Sequence, residues 1–536
     1  MIKVSQKLIC LLLAICLLAG CGSGQTPQET EDEQGDASEV YLGEEVKKKV
    51  AADSLFTLFF DPEGGTNPIQ AKSSVNMQFS YLLYDTLFVV DEDFNVSSEI
   101  VREVKTSDYS WWTFYINTDV CFSDGTPITA YDIVYSIQRA QQFSFYQNRL
   151  SCVYGSSAYN EEMFALSATQ PNSQLTAMLN VPIIKNNANT EDWPLGSGPY
   201  MLNEDHTALV PNPYNRHRDE LPLETIYLGA YTETGARITA FEDALVDIVT
   251  NDPTGAYNLG YGSGNETRYY DTTSMHYIGF NTRSNYFLNN NTRNAIGFLL
   301  DRDYLVNSLM GGCGVTAALP VHPRSPLYDT AYASQFHYDP DVAWALFEAG
   351  GVAELDGDED LEISVSGIVV QMNIKFICNN DSAVKLVMAR RLAEELNAMG
   401  ITTTLYELSW GDYLQTLKDG DFDMYYGEVR LRPDWDLTPM LKVPNLTAKN
   451  IDWKMNYARI SDDGYADYYA AYLAAPEETR YELFQEAMRR VCDSAVIIPM
   501  CFERREVLTH RGAVANLHPT QYDLFNKFYE WSITLE

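Results

Sequence analysis

The chain has 536 residues, 46% of them hydrophobic and 12% aromatic, which is too many for one hydrophobic core and enough for two or three domains. Its 74 Asp and Glu outnumber 37 Lys and Arg, so the net charge is −37 and nucleic acid is disfavoured as a partner. This excess of acid favours solubility beside a membrane surface, and the alternative is a field that steers cationic ligands.

The first twenty residues have the pattern of an export signal. Lys3 and Lys7 precede an apolar run at 8–18, which is too short for a stable transmembrane span. The run ends in the letters LAGC, which resemble a bacterial lipobox with Cys21 as the lipidated residue. The alternative is an ordinary secretory signal in which Cys21 is incidental. We predict a lipoprotein signal peptide over 1–20 and a stable anchor of two or more acyl chains on Cys21.

The segment after the signal has little to bury. Residues 21–40 are mainly small, polar and acidic, which predicts an acidic flexible tether. With a lipid on Cys21, the protein is expected at the cell membrane on its extracytoplasmic face, which is the periplasm where an outer membrane is present.

Six cysteines remain once Cys10, Cys16 and Cys21 are set aside, and none of them has CxxC spacing. This pattern excludes the common zinc and redox motifs. The favoured interpretation is that they are single buried thiols acting as small hydrophobic residues, and the alternative in an exported protein is disulfide pairing.

Hydrophobic periodicity predicts alternating strands and helices along the chain. Residues 55–60 and 111–116 have the pattern of strands, and Thr129 is placed to cap a helix with Asp132 three residues on.

In the centre of the chain, Tyr277 to Phe280 predict a short buried strand, and helices follow it. Asp301 is placed to cap the second of these helices, which Gly311 and Gly312 end. In the last third, Ser409 is placed as a helix cap. The predicted elements there are a helix at 384–399, a strand at 401–408, a strand at 422–429, a helix at 482–491 and a strand at 497–502.

Five phrases carry a family resemblance. They are GFNT with TRNAIGFLLDRDYLV and ALP from residue 279, FSDGTPITAYD from 122, GSGPY from 196, YDPDVAWALFEAGG from 338, and GDFDM from 420. Together they resemble the family 5 solute-binding proteins, the extracytoplasmic peptide-binding components of ABC importers. The resemblance extends from about residue 67 to the C-terminus.

The resemblance implies an α/β fold of the periplasmic-binding-protein-like type, class II, with two lobes, an extra side domain and a hinged cleft. Carried onto this sequence, the hinges fall near Asn281 and at 491–500. The implied domains are lobe I at 41–77, 194–279 and 490–536, side domain II at 78–193, and lobe III at 280–489.

The implied function is capture of a short peptide in the interlobe cleft and delivery to an ABC permease and ATPase complex, by a lipid-anchored monomer. Alternatives are the same fold binding a nickel chelate, haem, an opine or an oligosaccharide, or a lipoprotein that senses peptides for a receptor.

The family commonly uses an aspartate after a lobe III strand to pair with the peptide amino group, and an ungapped count places Leu431 there. Asp434 or Asp436 replaces it after a small shift, or Arg430 instead holds a carboxylate with two hydrogen bonds. The predicted ligand-binding residues are Lys72, Ser73, Asn281, Trp410, Tyr426, Arg430, Asp434, Trp435 and Asp436.

Two of these residues lead to a hypothesis about charge. If Lys72 and Arg430 converge in so acidic a protein, they favour an anionic or zwitterionic ligand. Trp410, Tyr425 and Tyr426 are predicted pocket walls, with burial in the core as the alternative.

The sequence gives little support to an enzyme. It contains no HExxH, GxSxG or P-loop motif, and its seven histidines show no ligand-like spacing. Gly196 and Gly198 resemble a phosphate loop only superficially, since Pro199 removes an amide donor and no Gly-Lys-Ser/Thr follows. We therefore expect no enzymatic activity, no cofactor and no metal site.

Overall fold

The computed structural model describes residues 54–535, apart from 232, 256–257, 263, 356, 358–359, 450 and 462–463. The predicted signal peptide, Cys21 and the tether lie outside the described residues. No helix in the described part of the chain is long and apolar enough to span a membrane.

The first half of the chain is built from short strands and helices. These are β1 (Thr57–Phe59), α1 (Ser74–Met77), α2 (Ser80–Leu83), β2 (Val89–Val90), β3 (Val96–Ser97), β4 (Val101–Thr106), β5 (Trp111–Ile116), α3 (Ala130–Ala140), α4 (Ser144–Leu150), β6 (Val153–Ala158), β7 (Met163–Ala168), α5 (Leu175–Met178), β8 (Tyr200–Leu202), β9 (Ala208–Pro211), β10 (Ile226–Gly229), α6 (Thr234–Glu242) and β11 (Ile248–Asn251).

The second half contains longer elements. These are β12 (Glu266–Phe280), α7 (Asn290–Phe298), α8 (Arg302–Tyr304) continued by a π-helical turn (Leu305–Leu309), β13 (Gly314–Thr316), α9 (Thr330–Ala333), α10 (Pro340–Ala349), β14 (Val352–Ala353), β15 (Glu362–Val365), β16 (Ile368–Gln371), β17 (Asn373–Asn379), α11 (Ala383–Ala398), β18 (Thr402–Leu408), α12 (Trp410–Asp419), β19 (Met424–Arg430), α13 (Thr438–Leu441), α14 (Gly464–Leu473), α15 (Glu477–Ser494), β20 (Ile497–Thr509), β21 (Val514–Ala515) and β22 (Ser532–Ile533).

Helix starts follow the predicted capping residues. The Asp132 carboxylate accepts the Thr129 backbone N–H at 2.8 Å at the start of α3. Asp301 caps α8 by accepting from the Tyr304 N–H, and the Ser409 hydroxyl accepts a backbone N–H at the start of α12. These three predictions are confirmed, because a side-chain acceptor satisfies an N–H group that has no partner within the helix.

The architecture centres on a seven-stranded sheet in the order β11-β20-β12-β19-β17-β18, with β13 added beside β20. The long strands β12 and β20 are antiparallel to each other and run through the whole sheet. The N-terminal end of β12 pairs with the end of β20 that also pairs with β11. The C-terminal half of β12 pairs with β19 on its other edge. Two long shared strands therefore connect the two lobes of a periplasmic-binding-protein-like fold. The predicted α/β fold class is confirmed.

The two crossing strands are longer than predicted. The short strands expected at 277–280 and 497–502 are parts of β12 and β20, which span 15 and 13 residues. The prediction was wrong about their length because the added halves are rich in charged residues and tyrosine. There the strands pair with each other and lack the apolar pattern that periodicity detects.

The ladder between β12 and β20 is irregular midway along the sheet, between Asp271 and Met275. The Thr273 backbone N–H leaves the ladder and donates to the Gln521 side-chain oxygen at 2.9 Å, and the Thr272 hydroxyl donates to the Glu503 carbonyl. This bulge therefore brings the C-terminal segment onto the sheet where the two lobes meet.

Alternate residues of the central sheet feed two separate cores. Ile278 and Tyr426 belong to one buried cluster, and Tyr277 and Tyr425 to another on the opposite face. This period of two is that of a strand covered on both faces, here by helices.

Two four-stranded sheets lie in the first half of the chain. An antiparallel sheet in the order β4-β5-β7-β6 falls within the predicted side domain II, and a sheet in the order β1-β10-β9-β8 falls within predicted lobe I. The exact domain boundaries, including the hinge near Asn281, stay predictions.

The GSGPY phrase packs directly on the backbone of α2. The Gly198 N–H donates to the Leu83 carbonyl at 3.0 Å, and a Cβ on either Gly196 or Gly198 would collide with backbone atoms at 82–84. These glycines are needed for a close approach between two chain segments.

The six cysteines of the folded region are unpaired. Five are buried, Cys121 is half-buried, and none forms a disulfide. This confirms the interpretation of the buried thiols as small hydrophobic residues.

Candidate functional site: a cationic cavity between the lobes

A cavity of about 630 Å³ opens at the bulge in the central sheet. Its walls come from eight separate parts of the chain: the α1 and α2 region, α4, Pro182, the strands β11, β12 and β20, the end of β19, and the loop at 520–524. Its volume falls in the range of about 300–1,000 Å³ that is usual for small-ligand sites. A smaller cavity of about 310 Å³ shares the wall formed by Tyr270 and Gln521.

Lys72 and Arg430, two of the predicted ligand residues, both line this cavity. Lys72 is half-exposed and its ammonium lies 2.6 Å from a carboxylate oxygen of Asp192. Arg430 is exposed at the end of β19, and its guanidinium has no hydrogen bond or ion pair within the described part of the chain. The structure therefore brings together the two cations of the sequence hypothesis, and whether they contact ligand stays a prediction.

Four other predicted residues lie outside the lining. Ser73 is buried as the N-cap of α1, and Asn281 donates to backbone carbonyls of the 420–422 segment. Tyr426 is buried in the core with its hydroxyl 2.7 Å from Nδ1 of His276. Trp410 is exposed at the start of α12. In their present positions Ser73, Asn281 and Tyr426 support the fold around the cavity.

The remaining predicted residues turn into the protein. Asp434, Trp435 and Asp436 are buried, and Trp435 packs against the Phe94 ring with centroids 5.0 Å apart. The Arg432 guanidinium lies 3.1 Å from Asp434 and 2.6 Å from Asp436, and desolvation raises the pKa of Asp434 despite that cation. The two carboxylates are thus occupied by an arginine two and four residues away in sequence.

Sequence reasoning missed most of the lining, including Arg149, Arg505 and Tyr522. The Arg149 side chain donates to the Asn180 carbonyl at 2.8 Å and lies over the Tyr522 ring, 5.3 Å from its centroid. Arg505 on β20 lies 3.3 Å from Asp252. No local pattern marks these residues, because they come from α4, β20 and the C-terminal loop and meet only in the fold.

Beside the cavity, His276, Glu428 and Glu503 place one ligand atom each within 4.8 Å of one another, as a metal site would. The Lys385 ammonium already lies 2.6 Å from Glu428. A lysine so close supplies the positive charge that the carboxylates need and opposes a metal cation. Glu428 and Glu503 lie two residues before Arg430 and Arg505 on the same strands, and therefore on the same face of the sheet. We interpret the three residues as an ion-paired group on that face.

Stability is expected to fall as the pH drops from about 6.5 to 4 because of His322. This residue is fully buried, its Nδ1 accepts the Arg324 N–H at 3.2 Å, and desolvation lowers its pKa to about 4. In the unfolded chain His322 binds a proton below about pH 6.5, whereas in the folded chain it does so only near pH 4. This difference in proton binding lowers the unfolding free energy by about 3 kcal/mol across the window.

Urea unfolding at a series of pH values tests this expectation. His322→Asn keeps an acceptor for the Arg324 N–H. It should reduce the slope of the unfolding free energy against pH, between pH 6.5 and 4, by an amount that corresponds to up to about one bound proton. His337→Asn, at an exposed histidine, is the matched control and should leave the slope unchanged. Parallel curves for the native chain and His322→Asn would contradict the prediction.

Comparison with known proteins gives a consistent family. Residues 96–442 match the model of the bacterial extracellular solute-binding proteins, family 5, middle region. The oligopeptide-binding protein AppA of Bacillus subtilis is 24% identical over 449 residues, which cover 78% of this chain and 79% of AppA.

Solved structures agree on the fold. The unliganded open form of the periplasmic murein tripeptide-binding protein MppA superposes with a TM-score of 0.72 at 17% identity, covering 91% of this chain and 99% of MppA. NikA from Brucella suis in complex with Fe(III)-EDTA superposes with a TM-score of 0.66 at 18% identity, covering 89% and 100%. One fold thus contains proteins named for peptides and one crystallised with a polycarboxylate chelate.

Proposed function

Because the chain belongs to the bacterial extracellular solute-binding proteins of family 5, we propose that it captures short peptides in the cavity between its lobes and delivers them to the permease of an ABC importer. The observation that carries the proposal is the 630 Å³ cavity at the junction of the two shared strands, lined by eight separate parts of the chain. Relative movement of these parts would open and close the site in the manner of a hinged binding protein.

The walls of the cavity suit a peptide. Tyr81, Tyr270 and Tyr522 supply amphipathic surface, and Thr250, Thr520 and Gln521 supply groups for hydrogen bonds. Such a mixture of aromatic and adaptable polar side chains accommodates variable peptide side chains, with water filling unused space. The chain acts in this proposal as a binding protein and not as an enzyme.

A lipid on Cys21 holds the protein at the outer face of the membrane in this proposal. The support is the LAGC sequence and the acidic stretch at 21–40, whose composition suits a tether between membrane and folded body.

A second candidate ligand is a polycarboxylate metal chelate. The cations at the cavity favour it as much as they favour a peptide, since both present carboxylates. The fold and the importer role are the same in this case.

Mass spectrometry of the full chain, extracted from membranes with detergent, tests the proposal. We expect native spectra with a bound ligand, denaturing spectra that release short peptides of mixed sequence, and a diacylglyceryl mass on the N-terminal cysteine. Cys21→Ser is the control and should lose the lipid mass and leave the membrane fraction while retaining the peptides. A chelate in place of peptides, or an empty protein that ignores a peptide library, would overturn the peptide assignment.

A further inference from the structure

The lining of the cavity is opposite in charge to the rest of the chain. Five cationic side chains line it, and no acidic side chain does so among the described residues, although acids outnumber bases two to one in the sequence. The five are Lys72, Arg149, Arg430, Arg432 and Arg505.

Three of these cations are balanced by neighbouring carboxylates. Lys72 pairs with Asp192, Arg432 with Asp434 and Asp436, and Arg505 with Asp252. These four carboxylates are therefore already engaged, and a ligand ammonium group that approached one of them would have to displace an existing partner.

The other two cations have no carboxylate partner in the described part of the chain. Arg149 is positioned by the carbonyl and side-chain oxygens of Asn180 and by the ring of Tyr522, all of which are neutral. The Arg430 guanidinium has neither a hydrogen bond nor an ion pair there. Each guanidinium thus brings an uncompensated positive charge and free donors to the wall of the same cavity.

Asp523 does not supply the missing negative charge. It lies in sequence between two lining residues, Tyr522 and Leu524, and is half-buried with its oxygen accepting the Phe525 N–H at 2.8 Å. Desolvation raises its pKa to about 7, so near neutral pH it is a weak counter-charge.

We infer that the cavity selects ligands with at least two carboxylates, one held by Arg430 and one by Arg149, and that it provides no carboxylate for a ligand amino group. This inference rests on the proposed function and narrows it to acidic peptides, with small polycarboxylates as the other source of the same chemistry. Planar guanidinium groups bind carboxylates through two parallel hydrogen bonds, which are strong where water is excluded.

Isothermal titration of the purified full chain with five probes tests the inference. The probes are triglutamate, its N-acetylated form, trialanine, trilysine and nitrilotriacetate. We expect triglutamate to bind at least about tenfold more tightly than trialanine, because an added charge-assisted pair contributes on the order of that factor. N-acetylation should leave the affinity within about twofold, since no lining carboxylate holds the amino group, and trilysine should not bind.

Substitutions at Arg430 separate recognition from folding, because its guanidinium has no hydrogen-bond or ion-pair partner to lose among the described residues. Arg430→Gln should reduce the preference for triglutamate over trialanine to less than about threefold, and Arg430→Glu should abolish it. Arg149→Gln should act like Arg430→Gln. Arg391→Gln is the control on the surface of α11, where the arginine pairs with Glu395, and it should leave all affinities unchanged.

The outcomes distinguish this inference from the proposed function. Equal affinity for trialanine and triglutamate, or a large loss on N-acetylation, would overturn the inference and leave peptide capture standing. Binding of nitrilotriacetate without binding of any peptide would support selection for carboxylates and overturn peptide capture. Unchanged preference in Arg430→Glu would overturn the assignment of Arg430, and binding of no probe would overturn both proposals.

Discussion

Gly198→Ala is expected to lower the unfolding free energy by about 3 kcal/mol or more, at the upper end for overpacking. A Cβ at this position would lie 2.5 Å from the Leu83 carbonyl carbon, 2.6 Å from the Leu82 oxygen and 2.7 Å from the Tyr84 nitrogen. All three are backbone atoms, so no side chain can rotate away. The segment would have to move and lose the hydrogen bond from residue 198 to Leu83.

Urea unfolding followed by circular dichroism measures this effect. Gly411→Ala is the matched control, because the new Cβ would meet no atom within 4 Å and the position lies in α12. There alanine should raise stability by about 0.5–1 kcal/mol. If Gly198→Ala lowers the unfolding free energy by less than about 1 kcal/mol, which is the loss caused by an ordinary substitution, the segments at 82–84 and 196–200 separate easily.

Arg432→Met is expected to cost about 3–5 kcal/mol, since it leaves two buried carboxylates without their cation. Asp434 is fully buried and Asp436 nearly so, and both side chains lie within 3.1 Å of the Arg432 guanidinium. Desolvation already raises the pKa of Asp434, so the carboxyl should take up a proton once the arginine is gone.

The comparison for this variant is Arg102→Met, which removes the partner of Glu162 in a pair with both side chains about half-exposed. Exposed pairs contribute about 0–1 kcal/mol, so this chain should unfold near the native midpoint. Adding Asp434→Asn and Asp436→Asn to Arg432→Met should restore part of the lost stability. If Arg432→Met is as stable as Arg102→Met, the ion pairs of Arg432 with Asp434 and Asp436 do not stabilise the folded chain.

Helix caps and short apolar strands were predictable from the sequence, because residues close together in the chain determine them. Thr129 donates to the Asp132 carboxylate and the Ser409 hydroxyl accepts the Asp412 N–H, so each capping contact joins residues only three apart in the chain. The central strand at 277–280 was found from its apolar residues, whereas its extension to Glu266 was missed because a polar strand that pairs with another strand has no hydrophobic period.

The site was predictable only in part. Lys72 and Arg430 were found through the family resemblance and line the cavity. Asp434 and Asp436 were not recognised as internal partners of Arg432, although an arginine two and four residues away was the available signal. Arg149 and Arg505 had no such signal, since tertiary packing alone brings α4 and β20 together.

The cationic cavity lies in a chain whose net charge is −37, and this has a consequence for the speed of capture. An anionic ligand is repelled at long range and attracted only once it is within the cleft. Dissolved ions screen the repulsion over a Debye length of about 10 Å at 0.1 M, and they screen the enclosed contacts much less. Raising the ionic strength should therefore accelerate association, the reverse of what an electrostatically steered receptor shows, and the protein is better suited to capture in salty surroundings than in dilute ones.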